Sequence, residues 1–502
     1  MHDVGAGWLM TTLNPAPAVV ALVQAATTLP LFLFVLLAGA LADRLDKRVM
    51  LIVVNAILFG VIGALALLVA FDRITPLGLI VFTFLIGTGA AFIAPAWQSV
   101  VPQLVPREDL SAAIALNSMG INLARAIGPA IGGFLIAAVS ISLPFFLNAL
   151  SCLAIVLAVL LWKPPARKPQ RLPPEPILGA IVTGVRHAAH NAPLKATLLR
   201  AIAFFAFASA YWAMLPLVAR GIPEGGSALY GGMLTMVGIG AVAGALTLPK
   251  LKQYFSSNQI AAFATVFTGA AMAALSLSST AYVAMAVSLL GGIGWIAMLT
   301  SLNVSAQTAL PDWVRARGLA VFLMVFSGSM AAGSILWGQV AQYSSVTHAL
   351  LAASVGIVLA LFLVRKVALG QGETMDLRPA MIWETPVLSH SREASQDRGP
   401  VLITIEYNID PADEADFLSA VNRLSAERYR DGAFQWGVQQ DAANPDRFVE
   451  WFLVSSWSEH LRQHERMTRH DADIQNEVRR FHRGPDAPRV EHLIAPAREE
   501  RS

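Results

Sequence analysis

Few residues of this chain are of types that do chemistry. Asp43 is followed at once by Arg44 and, after Leu45 and Asp46, by Lys47 and Arg48. A carboxylate among cations at the end of an apolar run suits a switchable ion pair. It can accept from Arg44 or Arg48, or face the positive N-terminus of another helix. A solvated charge cluster is the alternative. Gly39, one turn earlier, would let helices approach closely. Asp3, Arg125, Asn117 and Asn122 lie in or beside apolar runs, where a polar group marks a substrate, a proton site or a partner helix. Asp3 is the one carboxylate placed to take up a proton within the apolar body, unless it is a helix end in water. Arg125 suits either an anionic substrate or nearby carbonyls. His187 and His190 have His-x-x-His spacing, but no carboxylate or cysteine accompanies them, so an interfacial amphipathic helix is expected rather than a metal site. Trp436, His460 and His464 could line a pocket near the C-terminus. Cys152, the single cysteine, lies in an apolar run and is expected to be buried. No catalytic set, metal or cofactor is expected.

The elements that must hold these groups are unusually apolar. Of 502 residues, 55% are hydrophobic and 14% charged, and mean hydropathy is +0.58. Soluble domains average about 45–50% and about 25%. The difference excludes a disordered chain and an ordinary cytosolic enzyme, and indicates a membrane protein. Apolar runs near 18–42, 48–70, 76–100, 112–138, 142–162, 196–219, 228–249, 258–279, 282–306, 317–341 and 346–368 match the roughly 20 residues a bilayer requires. Residues 1–13 are too short to span. They read as the end of a helix whose start is missing, with Met1 an internal methionine of a longer protein and Asp3 then inside the membrane.

Basic residues set the orientation. Alternate connections hold Arg44, Lys47, Arg48, Arg107, Lys195, Lys250, Lys252, Arg315, Arg317 and Lys366 among others, whereas the opposite set holds only Arg73 and Arg220. The first set is expected in the cytoplasm. A single ungapped shift of 205 residues superimposes Ala38-Gly39-Ala40-Leu41 on Ala243-Gly244-Ala245-Leu246. It also carries Gly87 and Gly89 onto Gly292 and Gly294, Gly128 onto Gly333, and Gly133 onto Gly338. Small residues govern helix approach, so the shared offset predicts two parallel six-helix repeats, an arrangement of secondary transporters. The second copy has Leu248 where Asp43 would map.

Residues 39–51, Gly-Ala-Leu-Ala-Asp-Arg-Leu-Asp-Lys-Arg-Val-Met-Leu, resemble the loop signature of the major facilitator superfamily, with Asp46 where a second glycine is usual. The resemblance implies a conformational latch built from Gly39, Asp43, Arg44 and Arg48, facing the helix start near Arg317. Residues 125–133, Arg-Ala-Ile-Gly-Pro-Ala-Ile-Gly-Gly, resemble the fifth-helix signature of its exporters. Gly128-Pro129 would bend that helix, and Gly132-Gly133 would let it pack tightly between the halves. The stretch 81–86 lacks the arginine of many proton-coupled members. Trp8-Leu9-Met10 before Asn14-Pro15 resembles the transmembrane secretion effector branch that includes the enterobactin exporter. That implies efflux of a bulky amphipathic small molecule, drug-like or siderophore-like, through a bacterial inner membrane by alternating access, with the bilayer and the substrate as partners and no nucleic acid.

The charge divides the chain again. Up to residue 371 there are 20 Lys and Arg against 9 Asp and Glu; beyond it, 16 Arg and no Lys against 24 acidic residues. A basic membrane body therefore precedes an acidic soluble tail. Val401–Ile409 alternates as a strand, Pro411 opens a helix to about Arg430, a hairpin turns at Asn444-Pro445, Ser458 to His482 is a polar helix, and Arg489–Ile494 is a last strand. This β-α-β-β-α-β order predicts a ferredoxin-like fold. It resembles the antibiotic-biosynthesis monooxygenase group, which implies self-association through the open sheet. The expected class is an all-α membrane protein, its first helix truncated, plus an α+β ferredoxin-like cytoplasmic domain. The expected divisions are 1–162 (first half), 163–195 (linker with an amphipathic helix), 196–370 (second half), 371–399 (linker) and 400–502 (soluble domain). The chain is expected not to be an enzyme. The alternatives are a membrane-anchored oxygenase that modifies the exported compound, and a degenerate transporter acting as a sensor.

Overall fold

A computed structural model describes residues 2–101, 104–105, 109–162, 177–223, 225–370, 375–380 and 398–495. The proline-rich linker at 163–176 and most of the linker at 371–399 lie outside these residues. The chain divides into two compact units. The first comprises Met1–Ile177, Ala196–Val304 and Ala320–Gly370, and the second Leu178–Lys195, Ser305–Leu319 and Gln371–Ser502.

The described residues of the first unit form helices and their connections. In chain order the helices are α1 (His2–Leu13), α2 (Pro17–Arg44), α3 (Lys47–Ala70), α4 (Pro76–Val100), α5 (Leu110–Ala138) and α6 (Leu143–Leu161). After α7 (Ile177–His190), most of which belongs to the second unit, come α8 (Ala192–Gly221), α9 (Ser227–Leu251), α10 (Ser257–Ser276), α11 (Ala281–Thr308), α12 (Arg315–Tyr343) and α13 (Val346–Leu363). Every apolar run of the sequence is a helix here. Among the described residues ten helices are long and apolar enough to cross a membrane, and α5 contributes the apolar stretch Ile127–Ala138. Their starts are written locally. Pro17 and Pro76 occupy first-turn positions where no backbone donor is lost. Asp46 caps α3 by accepting from Arg48 N and Val49 N, Thr75 caps α4, Ser345 caps α13, and Ser256 with Gln259 forms a reciprocal capping box on α10. Leu161 and Leu363 are each 84% exposed. Leucines this bare belong against lipid rather than water. Cys152 is buried, in one hydrophobic cluster with Phe145, Leu65 and Ile62.

In the tail, β1 (Val401–Asn408) leads through a 3-10 turn at Pro411–Asp413 into α14 (Glu414–Asp431). β2 (Ala433–Gln440) and β3 (Arg447–Val454) form the hairpin. Then come α15 (Trp457–Arg466), α16 (Arg469–Arg479) and β4 (Arg489–Ile494). The sheet order is β2-β3-β1-β4, with every neighbouring pair antiparallel. Alternation along β1 buries Val401, Ile403, Ile405 and Tyr407 against Phe417, Val421 and Leu424 of α14. Gly432 ends α14 at φ +133°, a conformation that side chains disfavour. The single polar helix expected over Ser458–His482 is two helices. Thr468 and Asp471 form a capping box that starts α16 afresh, and a cap there ends the continuous helix at Arg466.

Candidate functional site

The seam between the two six-helix sets is made by glycine. A Cβ on Gly133 of α5 would lie 2.7 Å from Gly231 Cα and 3.0 Å from Ser227 O of α9. A Cβ on Gly231 would lie 2.7 Å from Gly133 Cα and 3.0 Å from Pro129 O. The two backbones touch, as only glycine permits. The 205-residue shift carries Gly133 to Gly338, and there α12 crosses α2: a Cβ on Gly338 would lie 2.5 Å from Ala21 Cβ and 3.3 Å from Ala18 Cα. Within each set, Gly87 of α4 abuts Thr27 O of α2, and its counterpart Gly292 of α11 abuts Val237 of α9. Equivalent glycines thus meet equivalent helices.

Other expected residues are placed as follows. Asn117 accepts a hydrogen bond from Trp97 Nε1 at 3.1 Å, tying α5 to α4. Asp3 is exposed in the first turn of α1. Arg44 is exposed. Arg48 donates through Nε to Val159 O at 3.1 Å and through a terminal nitrogen to Leu160 O at 2.6 Å. Its charge thus sits at the negative end of α6. Gly39 differs from expectation: a Cβ there would meet no described atom within 4 Å, so it makes no close helix contact among the described residues. Ala38 and Ala42, on other faces of that turn, are the buried residues. Arg317 lies in the first turn of α12, against Gly184, whose Cβ would be 3.0 Å from Arg317 Cβ. The side chains of Asp43, Asn122 and Arg125 lie outside the described residues.

Sequence reading missed three features of this unit. Arg200 is 3% exposed in α8 and donates through Nε to Val367 O at 2.7 Å; its position inside an apolar run was the available signal. Arg220, at the end of the same helix, donates to Thr11 O of α1. The third is an aromatic wall on α8, α11 and α12. Phe205 and Phe326 meet edge to face at 4.5 Å, Phe205 and Trp295 at 5.3 Å, and Trp212 and Trp295 at 5.1 Å. Beside the wall a small cavity is lined by Tyr211, Trp212, Val237, Thr268 and Trp295. Trp212 Nε1 and Thr268 Oγ1 are buried there without a hydrogen-bond partner among the described residues. Burying such groups unpaired is costly, so polar contact with a visiting molecule would be favourable.

In the tail, Glu450 is fully buried and accepts from Arg428 Nε at 2.9 Å, Tyr407 Oη at 3.1 Å and Trp436 Nε1 at 3.1 Å. Trp436 therefore serves Glu450. His460 and His464 instead join His492, a residue the sequence reading passed over. The Nε2 atoms of His460 and His464 are 3.3 Å apart, and the His460 and His492 rings are 4.7 Å apart. Burial pushes His460 down to about 3 and His464 down to about 4, with the neighbouring imidazoles adding to the effect. Among the described residues no three His, Cys, Asp or Glu side chains are arranged to hold a metal ion.

A helical body of this architecture is that of a major facilitator transporter. The nucleoside transporter NupG has a similar fold (TM-score 0.58, 14% identity, 73% of this chain and 94% of that one). So has a bacterial homologue of the lysosomal transporter Spinster in an inward-facing, unoccupied conformation (TM-score 0.54, 17% identity, 73% and 96%). The chain belongs to the transmembrane secretion effector family, whose sequence profile matches residues 1–500 and so takes in the tail. It is a multi-pass membrane transporter and not an enzyme. Relatives include the Staphyloferrin A transporter of Staphylococcus aureus, 24% identical over 348 residues (66% of this chain, 83% of that one). The multidrug efflux pump Tap of Mycolicibacterium fortuitum is 25% identical over 377 residues (70% and 88%).

Proposed function

We propose that this transporter exports a bulky amphipathic small molecule, siderophore-like or drug-like, from a bacterial cytoplasm by rocking two six-helix halves about the Gly133–Gly231 and Gly338–Ala21 crossings. The observation that carries the reading is the aromatic wall with its unpaired Trp212 and Thr268 groups. Aromatic faces hold the apolar part of such a molecule, and the two polar atoms orient it. A siderophore transporter and a multidrug pump among the relatives support the same substrate class. Asp43, with Arg44 and Arg317, acts as the latch on the cytoplasmic side. Asp3, Arg125 and Asn122 are substrate or proton contacts, and Gly128, Pro129 and Gly132 shape the seam helix.

The test is accumulation of dyes and iron chelators by energised inverted vesicles. Wild-type protein should accumulate at least one, and Asp43→Asn should lose most of that rate, roughly tenfold, at equal insertion. A full rate in that variant would remove the latch.

The tail is read as a ferredoxin-like cytoplasmic module, supported by its strand order and by antiparallel pairing throughout. Its likeness to the monooxygenase group is read as ancestry of fold. Leu453, Leu402 and Leu493 line up across β3, β1 and β4 on the face away from α14. We assign that row to a second copy of the chain. Leu402→Glu should then turn a dimer in lipid nanodiscs into a monomer; an unchanged mass would refute the pairing.

A further inference from the structure

One buried cation of the first unit has no anion. Arg200 of α8 is 3% exposed, and its Nε donates to Val367 O at 2.7 Å. No carboxylate of the described residues pairs with it. A guanidinium carries five donors in a fixed fork. A carbonyl takes one of them and supplies no full counter-charge. Burying a cation unpaired is expensive, so this place is suited to a negative group.

A small cavity is lined by Arg200 with Phe204 of α8, Thr265 of α10, Met298 of α11, and Leu361 and Val364 at the end of α13. Thr265 Oγ1 already donates to Ala261 O at 2.7 Å. Arg200 is therefore the one lining side chain equipped to hold an anion, and the cavity admits an oxygen or two rather than a whole molecule. Its rim is fixed. Leu369 N donates to Asn258 Oδ1 at 2.9 Å and Val367 N to Val364 O at 2.9 Å. The segment after α13 is thus tied to α10 as well as to α8.

The surroundings indicate which anion. Arg365 and Lys366 follow the end of α13 and are exposed. Leu359, Phe362 and Leu363, just before them, are exposed as well. Cations beside bare apolar side chains at the end of a spanning helix mark the level where headgroups meet acyl chains. A free phosphate would use the cations and leave the apolar bed empty, whereas an anionic lipid uses both. Basic pockets between spanning helices hold headgroups of this kind.

We propose that Arg200, with Arg365 and Lys366, forms a binding site for the phosphate of an anionic phospholipid between α8 and α13. A phosphate oxygen enters the cavity to meet Arg200. The rest of the headgroup stays with Arg365 and Lys366, and the chains lie along the exposed side of α13. The bound lipid then links helices α8 and α13 and adds to the stability of this helix set by mass action. The inference does not depend on what the protein exports.

The experiment uses the full chain in detergent, titrated with phosphatidylglycerol, phosphatidylcholine or inorganic phosphate. Native mass spectrometry counts what each copy retains, and thermal unfolding is followed alongside. Wild-type protein should retain phosphatidylglycerol and melt at a higher temperature with it. At equal concentration phosphatidylcholine and inorganic phosphate should do neither. Arg200→Gln, which keeps a donor for Val367 O, should weaken phosphatidylglycerol binding roughly tenfold or more. Arg365→Gln with Lys366→Gln, both at the surface, should weaken it by about thirtyfold, or about fivefold for each cation. Lys250→Gln with Lys252→Gln, exposed at the end of α9, should leave it unchanged. Full phosphatidylglycerol binding by Arg200→Gln would overturn the site, as would full binding by the Arg365 and Lys366 double variant if Arg200→Gln does not fold. An equal loss in the Lys250 and Lys252 variant would reduce the effect to diffuse surface charge and refute a site. Equal binding of phosphatidylcholine would remove the need for an anion. Stabilisation by inorganic phosphate as strong as by phosphatidylglycerol would give Arg200 to a free anion and refute the lipid.

Discussion

Gly133→Val is expected to stop transport almost completely while leaving the protein inserted in the membrane. The added Cβ alone would lie 2.7 Å from Gly231 Cα, 3.0 Å from Ser227 O and 3.2 Å from Gly231 N. All three are backbone atoms, so no rotamer change relieves the overlap. The helices must separate, and forcing extra carbon into a tight contact costs about 1–3 kcal/mol or more. On the rocking-halves proposal, separation also loosens the surface on which the halves would move. Export by Gly133→Val should fall by more than about tenfold, with thermal stability in detergent lowered. Gly133→Ala should lie between. Gly63→Ala is the control: no described atom is within 4 Å of a Cβ there, and alanine in place of a helical glycine adds roughly 1 kcal/mol of stability. Wild-type export in Gly133→Val would show that the halves do not work through this crossing.

The second unit is expected to lose its structure on mild acidification. His187, His460 and His464 are held down to about 2, 3 and 4, chiefly by burial. An unfolded imidazole titrates near about 6.5. Depressed groups stabilise the fold above the unfolded value, and that stability is lost as pH falls from about 6.5 toward the folded values. Between pH 6.5 and 5.5 each contributes about 1 kcal/mol of lost stability, or about 3 kcal/mol together. Glu427 acts in the opposite direction. Burial, with Asp471 adding, pushes it up to about 9. A raised carboxyl stabilises below its unfolded value and loses that contribution as pH rises through the folded one. Protection of β1 and β3 in the full chain, read by hydrogen exchange corrected for intrinsic rate, should therefore peak near neutrality. His464→Gln should remove about 1 kcal/mol of the loss between pH 6.5 and 5.5, and Glu427→Gln should steepen that loss and flatten the alkaline side. Equal protection at pH 7 and 5.5 would contradict the account.

What could be read from the sequence follows from the range of the interactions concerned. Helices crossing a bilayer satisfy their own backbone groups and show lipid an apolar surface, so composition alone located the ten helices that are long and apolar enough to span it among the described residues. Caps act within four residues, so Thr75, Ser256, Ser345 and the Thr468–Asp471 box were all legible, yet the sequence reading passed over them and took two tail helices for one. The alternation of Val401, Ile403, Ile405 and Tyr407 set the inner face of the sheet. The 205-residue offset paired Gly133 with Gly338, and both are crowded; it also paired Gly39 with Gly244, and of those only Gly244 is.

The rest required the tertiary structure. Motif reading gathered Arg48 with Asp43, whereas its guanidinium lies on Val159 and Leu160, more than a hundred residues away in sequence. Trp212, Trp295 and Phe326 come from three helices, and no spacing in the chain announces that their rings meet. The charge balance divided body from tail near residue 371, but the folded unit takes α7 and 305–319 with the tail. Residue type and local spacing determine helix, strand and membrane. Contacts such as Arg186 with Glu459, or His190 with Tyr429, depend on where whole elements come to rest, and packing decides that only once the chain has folded.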